Sequence, residues 1–155
     1  MRTKKQVEEL VVSTFGKMMN VEANLSVMVS PQKRELFIKT LRIVFNDLRL
    51  PYSLRAANLK EFSEAIFAEE LRKQQFFENV LRKINEVSKK NYALDSIILE
   101  EKDVNSLEFF FDFSKIINPL IKESGFSVPY TIMLRCRTPY KLSDLFYRRG
   151  QFWSS

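Results

Sequence analysis

The chain has 155 residues, 45% hydrophobic and 28% charged, and its 25 Lys/Arg against 19 Asp/Glu leave a formal net charge of +6. By length this is one domain, able to bury a sizeable core, and with only three Gly and five Pro it lacks the composition of a flexible or disordered chain. Histidine is absent and cysteine occurs once, which excludes Ser-His-Asp and Cys-His catalysis, His-ligated zinc, Cys-rich metal sites and a disulfide-stapled fold.

The N-terminus is polar, Met1-Arg2-Thr3-Lys4-Lys5, without the apolar run of a secretory signal, and no apolar stretch is long enough for a spanning helix. A first helix is expected over residues 4–19. Thr3 stands as N-cap with Gln6 as its capping-box partner, and Val7, Leu10, Val11, Phe15, Met18 and Met19 recur at helical spacing. The period then changes to two. Val21, Ala23, Leu25, Val27 and Val29 alternate with mostly polar residues, the pattern of a half-buried strand.

Ser30-Pro31 is a strong helix start, with Phe37, Leu41, Val44, Phe45 and Leu48 as the buried stripe and Pro51 as the stop. Asn58 with Glu61 restarts helix, and helical composition persists to about Lys90. Its apolar stripe thins at Arg72-Lys73-Gln74-Gln75, and one long helix is the preferred expectation. Beyond Leu94 the two-residue period returns. Ile97 and Leu99 suit a strand, Leu107, Phe109, Phe111 and Phe113 a second, and Val128 to Cys136 a last one. Asn118-Pro119 opens a short helix that Gly125 closes, and residues 141–149 form another ended by Gly150.

This order predicts an α+β fold, with helices packed on a four-stranded, mostly antiparallel sheet. The succession is β-α-β-β-α-β, as in ferredoxin-like sandwiches, with an N-terminal helix and a long inserted helix. Residues 1–155 are expected to form a single domain: helix 4–19, core 21–137, and a short C-terminal helix with an aromatic, basic tail over 138–155.

Charge is laid out unevenly. Residues 1–94 carry 17 Lys/Arg against 11 Asp/Glu, residues 95–134 carry 3 against 7, and the last twenty-one carry 5 against 1. Many of the cations pair with acids at i,i+4, as in Glu35–Lys39, Glu69–Lys73, Glu78–Arg82 and Glu86–Lys90, and read as solvated helix faces. Lys4, Lys5, Lys33 and Arg34 differ, because each falls in a first helical turn, where the helix dipole disfavours a cation. Such placement suits an anionic partner. Arg135 and Arg137 share the outward face of the last expected strand, and Arg148 and Arg149 lie in the last turn of the C-terminal helix.

These eight residues are the expected phosphate contacts of a nucleic-acid-binding protein, with Tyr147, Phe152 or Trp153 stacking on bases or anchoring a partner. The aromatic run at Phe109, Phe111 and Phe113 lacks the basic-Gly start of an RNA-recognition strand and carries acids, so it reads as core. Asp95 and Asp112 are the carboxylates best placed for Mg²⁺ chemistry, but no Gly-rich phosphate loop accompanies them. Cys136 reads as an inert core residue. The expectation is therefore a non-enzymatic, cytoplasmic protein without a cofactor, binding nucleic acid and no membrane. Two alternatives stand beside it: a protein-interaction module, such as an assembly subunit or an inhibitor of a larger complex, and a Mg²⁺-dependent nucleotidyl-transfer enzyme.

Overall fold

The structure is a computed structural model and describes residues 1–98, 113–115, 117–119, 121–122 and 135–153, the last five through their backbone alone. It is mostly helical, with no sheet among the described residues. The expected four-stranded α+β sandwich is thereby overturned. Four helices are named in order: α1 (Lys4–Met19), α2 (Pro31–Val44), α3 (Leu59–Ser88) and α4 (Pro139–Trp153). The chain divides into two compact units, residues 1–74 and 75–153, and α3 supplies its first half to one and its second half to the other.

In the first unit α1 begins where its sequence specifies. Thr3 Oγ1 accepts from the Gln6 amide at 3.2 Å while the Gln6 side chain accepts from the Thr3 amide at 2.9 Å, a complete capping box. The helix ends at Asn20, held in the left-handed region at φ 52, a conformation asparagine tolerates better than most residues. Pro31 opens α2, although the Ser30 hydroxyl makes no capping bond. Asn58 Oδ1 accepts from the Glu61 amide at 2.9 Å to start α3.

The apolar stripes meet as their spacing requires. Val7, Val11 and Phe15 of α1, Phe37, Ile38 and Leu41 of α2, and Leu59, Phe62 and Ile66 of α3 form one buried cluster with Phe45, Leu48 and Leu50. Phe37 is its centre, edge-on to Phe15 at 5.3 Å and to Phe62 at 5.1 Å between ring centroids.

Residues 21–29 show why the two-residue period misled. Burial does alternate, with Ala23, Leu25, Val27 and Val29 inward and Glu22, Asn24, Ser26 and Met28 exposed. The backbone, however, serves a helix rather than a sheet. The carbonyls of Val27 and Leu25 accept from the Leu59 and Lys60 amides at 3.0 and 2.9 Å, and the Val29 amide donates to the Ala57 carbonyl at 2.9 Å. The first-turn amides of a helix have no partner within it, and the extended segment supplies one. Among the described residues, an isolated bridge between Met28 and Asn58 is all that resembles strand pairing.

The second unit repeats the device. Residues 94–98 are not a strand: the Leu94 carbonyl accepts from the Tyr140 amide in the first turn of α4 at 2.9 Å, and the Ile98 amide donates to the Arg137 carbonyl at 2.8 Å. The strand expected over 107–113 falls largely outside the described residues, but Phe113 is helical, as are 117–119 with Asn118-Pro119 among them. Phe113 and Ile117 are buried and Ile121 is half-buried, a four-residue spacing that belongs to a helix. The last expected strand lies mostly outside the described residues, and its end is not extended in a sheet: Arg135 is in a turn and Cys136 follows without regular structure.

Helix α4 is longer than the expected 141–149. Pro139 occupies its first position, Thr138 Oγ1 accepts from the Lys141 amide at 3.2 Å, and the helix continues through Gly150. Val80 and Ile84 of α3 pack with Phe113, Ile117, Cys136, Leu142 and Phe146, while Phe77 meets Tyr140 and Tyr147 edge-on at 5.2 and 6.2 Å.

Ser143 lies on α4 between those two tyrosines in helical register. Its residue is fully buried and its hydroxyl has no hydrogen-bond partner among the described residues. A buried, unpaired hydroxyl costs about 1–3 kcal/mol in lost solvation, and Ala is also the better helix former. Ser143→Ala is therefore expected to stabilise the protein by about 1 kcal/mol, read as a higher midpoint in urea unfolding at unchanged slope.

Candidate nucleic-acid interface

Acids and bases in the first unit fall into two groups: those neutralised within the fold, and cations with no carboxylate partner. The first group centres on Arg2. Its guanidinium forks onto Asp47 at 2.8 and 3.1 Å, reaches Glu70 at 2.6 Å, and lies over the Phe45 ring at 4.9 Å. Lys73 approaches Asp47 from α3 at 3.3 Å. Burial would raise the Asp47 pKa, but the hydrogen bond from Arg2 and the charges of Lys73 and Arg2 outweigh it and hold the carboxyl at about 2. Its hydrogen bonds to Asp47 and Glu70, with their charges, push the Arg2 pKa up against its own burial. The geometry ties three segments together and leaves Asp47 fully ionised, with no proton to exchange near neutral pH.

The four cations at the two helix starts do not form one cluster. Lys4 and Lys5 are exposed in the first turn of α1, which holds no acid. Arg2, just before them, touches Phe45 and Asp47 beyond the C-terminal end of α2. Phe15, later in α1, meets Phe37, earlier in α2. The helices are therefore antiparallel, and Lys33 lies at the far end of α2 from Lys4 and Lys5.

Arg34 has a different environment from Lys33. It heads the inward stripe of α2 that continues through Phe37, Ile38, Leu41 and Phe45, and its buried Nε has no partner among the described residues. In the second unit Arg135 and Arg137 are exposed in the turn before α4 rather than on a sheet face. Arg148 pairs with Asp144 at 2.8 Å.

Tyr147 corrects an expectation outright. It is only 2% exposed and packs against Phe76 and Phe77, so its ring is core and cannot stack on a base. The side chains of Arg149, Phe152 and Trp153 lie outside the described residues, as does Asp112. Asp95 is exposed in a turn, and no cluster of three or more metal-ligating side chains occurs among the described residues. Cys136 is buried, and burial raises its thiol pKa, away from reactivity.

One feature of this surface was not anticipated from the sequence. The Arg42 guanidinium lies 3.4 Å from the centroid of the Tyr52 ring, and its Nη1 donates to the Leu50 carbonyl at 2.7 Å. No carboxylate pairs with Arg42 among the described residues. Tyr52 is 65% exposed, so one face of its ring is covered by the cation and the rest is open to solvent.

The connector from Leu50 to Ala57 begins at this contact and ends where Ala57 receives the Val29 amide, just before α2 starts. It thus returns the chain alongside α2, carrying the exposed Arg55 back towards Lys33, while Lys4 and Lys5 share the Tyr52 end. A signal was present in the sequence. From Arg42 to Lys60 there are four Lys/Arg and one acid, Asp47, with Pro51-Tyr52 in their midst.

Comparison with protein-family models, with curated proteins and with solved structures gives no match. No helix among the described residues is long and apolar enough to cross a membrane.

Proposed function

We propose that the protein is a non-catalytic binding protein that holds nucleic acid on the basic surface of its first unit. The observation that carries this reading is the Arg42–Tyr52 pair: an uncompensated guanidinium laid on an exposed aromatic ring, with Arg55, Lys33, Lys4 and Lys5 also lacking carboxylate partners among the described residues. Of the acids nearby, Asp47 is engaged by Arg2 and Lys73 and Glu35 by Lys39 at 3.2 Å, while Glu8 and Glu9 follow Lys4 and Lys5 one turn along α1. Cations left unneutralised beside an aromatic are what phosphate and base contacts require.

The test is a salt titration of binding to a labelled oligonucleotide. Each phosphate contact contributes roughly 0.7–0.9 to the slope of log K against log salt. Arg42→Ala with Arg55→Ala is expected to flatten that slope by about 1.5. Absence of binding at low salt, or an unchanged slope, overturns the proposal.

A second reading, a protein-interaction module, has its own observation in Leu36 and Ile43. These stand 53% and 74% exposed one above the other on the outer face of α2. Retention of nucleic acid by a Leu36→Ser, Ile43→Ser variant keeps the two readings apart.

A further inference from the structure

We infer that the Arg42–Tyr52 pair is a stacking platform for an unpaired base, and hence that the nucleic acid held by this protein is single-stranded. The inference rests on the nucleic-acid reading above and specifies its ligand.

Three features make the pair a platform rather than a loose contact. Arg42 leaves α2 in its last turn and is pinned by its bond to the Leu50 carbonyl, so the guanidinium plane is fixed before any ligand arrives. Pro51 precedes Tyr52 and restricts the backbone that presents the ring. The 3.4 Å separation from the ring centroid is a close stacking distance, so a base laid on the open face of Tyr52 would extend a stack already begun.

In a duplex the bases are stacked on one another and show only their edges in the grooves, which a ring face cannot read. An unpaired base can splay out and lie flat on an aromatic side chain or an Arg plane. Connector direction supports the same ligand form. The connector runs beside α2 from Tyr52 to Arg55, with Lys33 beyond. A flexible strand can place a base at one end and its phosphates along the other. Ribose and deoxyribose strands share this chemistry.

Binding is measured by fluorescence anisotropy with one sequence as single-stranded DNA, as single-stranded RNA and as duplex DNA, at fixed salt. At least one single strand is expected to bind about 10-fold tighter than duplex, and which of the two does so identifies the sugar. Tyr52→Leu is expected to lose about 10-fold on that strand and little on duplex, while Tyr52→Trp keeps the affinity. Arg42→Lys, which keeps the charge but not the plane, is expected to weaken single-strand binding several-fold without changing the salt slope.

Ultraviolet crosslinking of wild-type protein, mapped by mass spectrometry, is expected to place a nucleotide on Tyr52 and stands whether or not the variants fold. Duplex bound as tightly as single strand, or a folded Tyr52→Leu within twofold of wild type, overturns the platform while leaving salt-dependent binding in place. A complete lack of binding removes the underlying reading and this inference together. A lower melting temperature of Tyr52→Leu at unchanged affinity would mean that the pair serves only to hold the end of α2.

Discussion

Arg2→Ala is expected to destabilise the protein by about 3–5 kcal/mol, the largest effect of any single polar substitution in the first unit. The reason lies in what the change leaves behind. The Glu70 side chain is 2% exposed and Arg2, at 2.6 Å, is its ion-pair partner. Asp47 would retain Lys73, but Glu70 would be left buried with no cation paired to it among the described residues. Removing Arg2 costs more than the pair itself contributes, because the Glu70 side chain left behind is already withdrawn from water, whereas Arg2 is only partly buried.

A second substitution separates these terms. Glu70→Gln in the Arg2→Ala background removes the stranded charge and is expected to recover at least 1 kcal/mol, measured by urea unfolding of both variants and of wild type. Recovery of nothing would mean that Arg2 acts through its fork onto Asp47 and its contact with the Phe45 ring instead.

The same cluster sets a pH dependence. The Asp47 carboxyl is held at about 2 in the fold against an ordinary value of 3.8. The unfolded chain therefore takes up this proton first as pH falls. Stability from Asp47 is complete above about pH 5 and drains away between there and pH 2, by roughly 2 kcal/mol in all. In Arg2→Ala that drain should shrink, since the strongest stabiliser of the ionised form is gone.

Phe37→Ala is expected to cost about 4 kcal/mol. Phe37 is fully buried and edge-on to two further rings, so the substitution loses the transfer energy of a whole phenyl group and both aromatic contacts, and opens a void between α1, α2 and α3. Phe37→Leu, which fills most of that void, should cost less than half as much. Urea midpoints for the two variants check the order. Equal losses would point to the aromatic geometry rather than to volume.

Helix starts were the most legible part of this sequence, because a cap is a local contract among three or four residues. Thr3 with Gln6, Pro31 and Asn58 with Glu61 each mark an observed start, and the inward stripes of α1, α2 and the first half of α3 identify the core of their unit. Alternation was less informative. In residues 21–29 a two-residue period reports only that an extended chain lies on something apolar, and here that surface is helical. Phe113 fits both the alternating run before it and the four-residue spacing after it, and packing decided for helix.

Ion pairs followed the fold more than the spacing. Glu35–Lys39 formed as expected. Glu69 instead pairs with Arg72, Lys73 reaches across to Asp47, and Arg82 turns to Glu86. The candidate site escaped for a related reason. Arg42 belongs to a helix and Tyr52 to the connector beyond Pro51, and no periodicity joins them; only the excess of arginine around an exposed tyrosine hinted at it.

The bonds from Leu25 and Val27 to the first turn of α3 also govern the order of assembly. The amides of Leu59 and Lys60 find their acceptors only when the segment preceding α2 has come back to meet them, so α2 and both of its flanking stretches must be enclosed before α3 can close its start. Closing that loop costs chain entropy before any long-range contact repays it. A mostly helical chain would ordinarily be expected to fold from local contacts alone. Here α1 and α2 start from local signals, whereas the Leu59 and Lys60 amides in the first turn of α3 are satisfied only through a long-range contact.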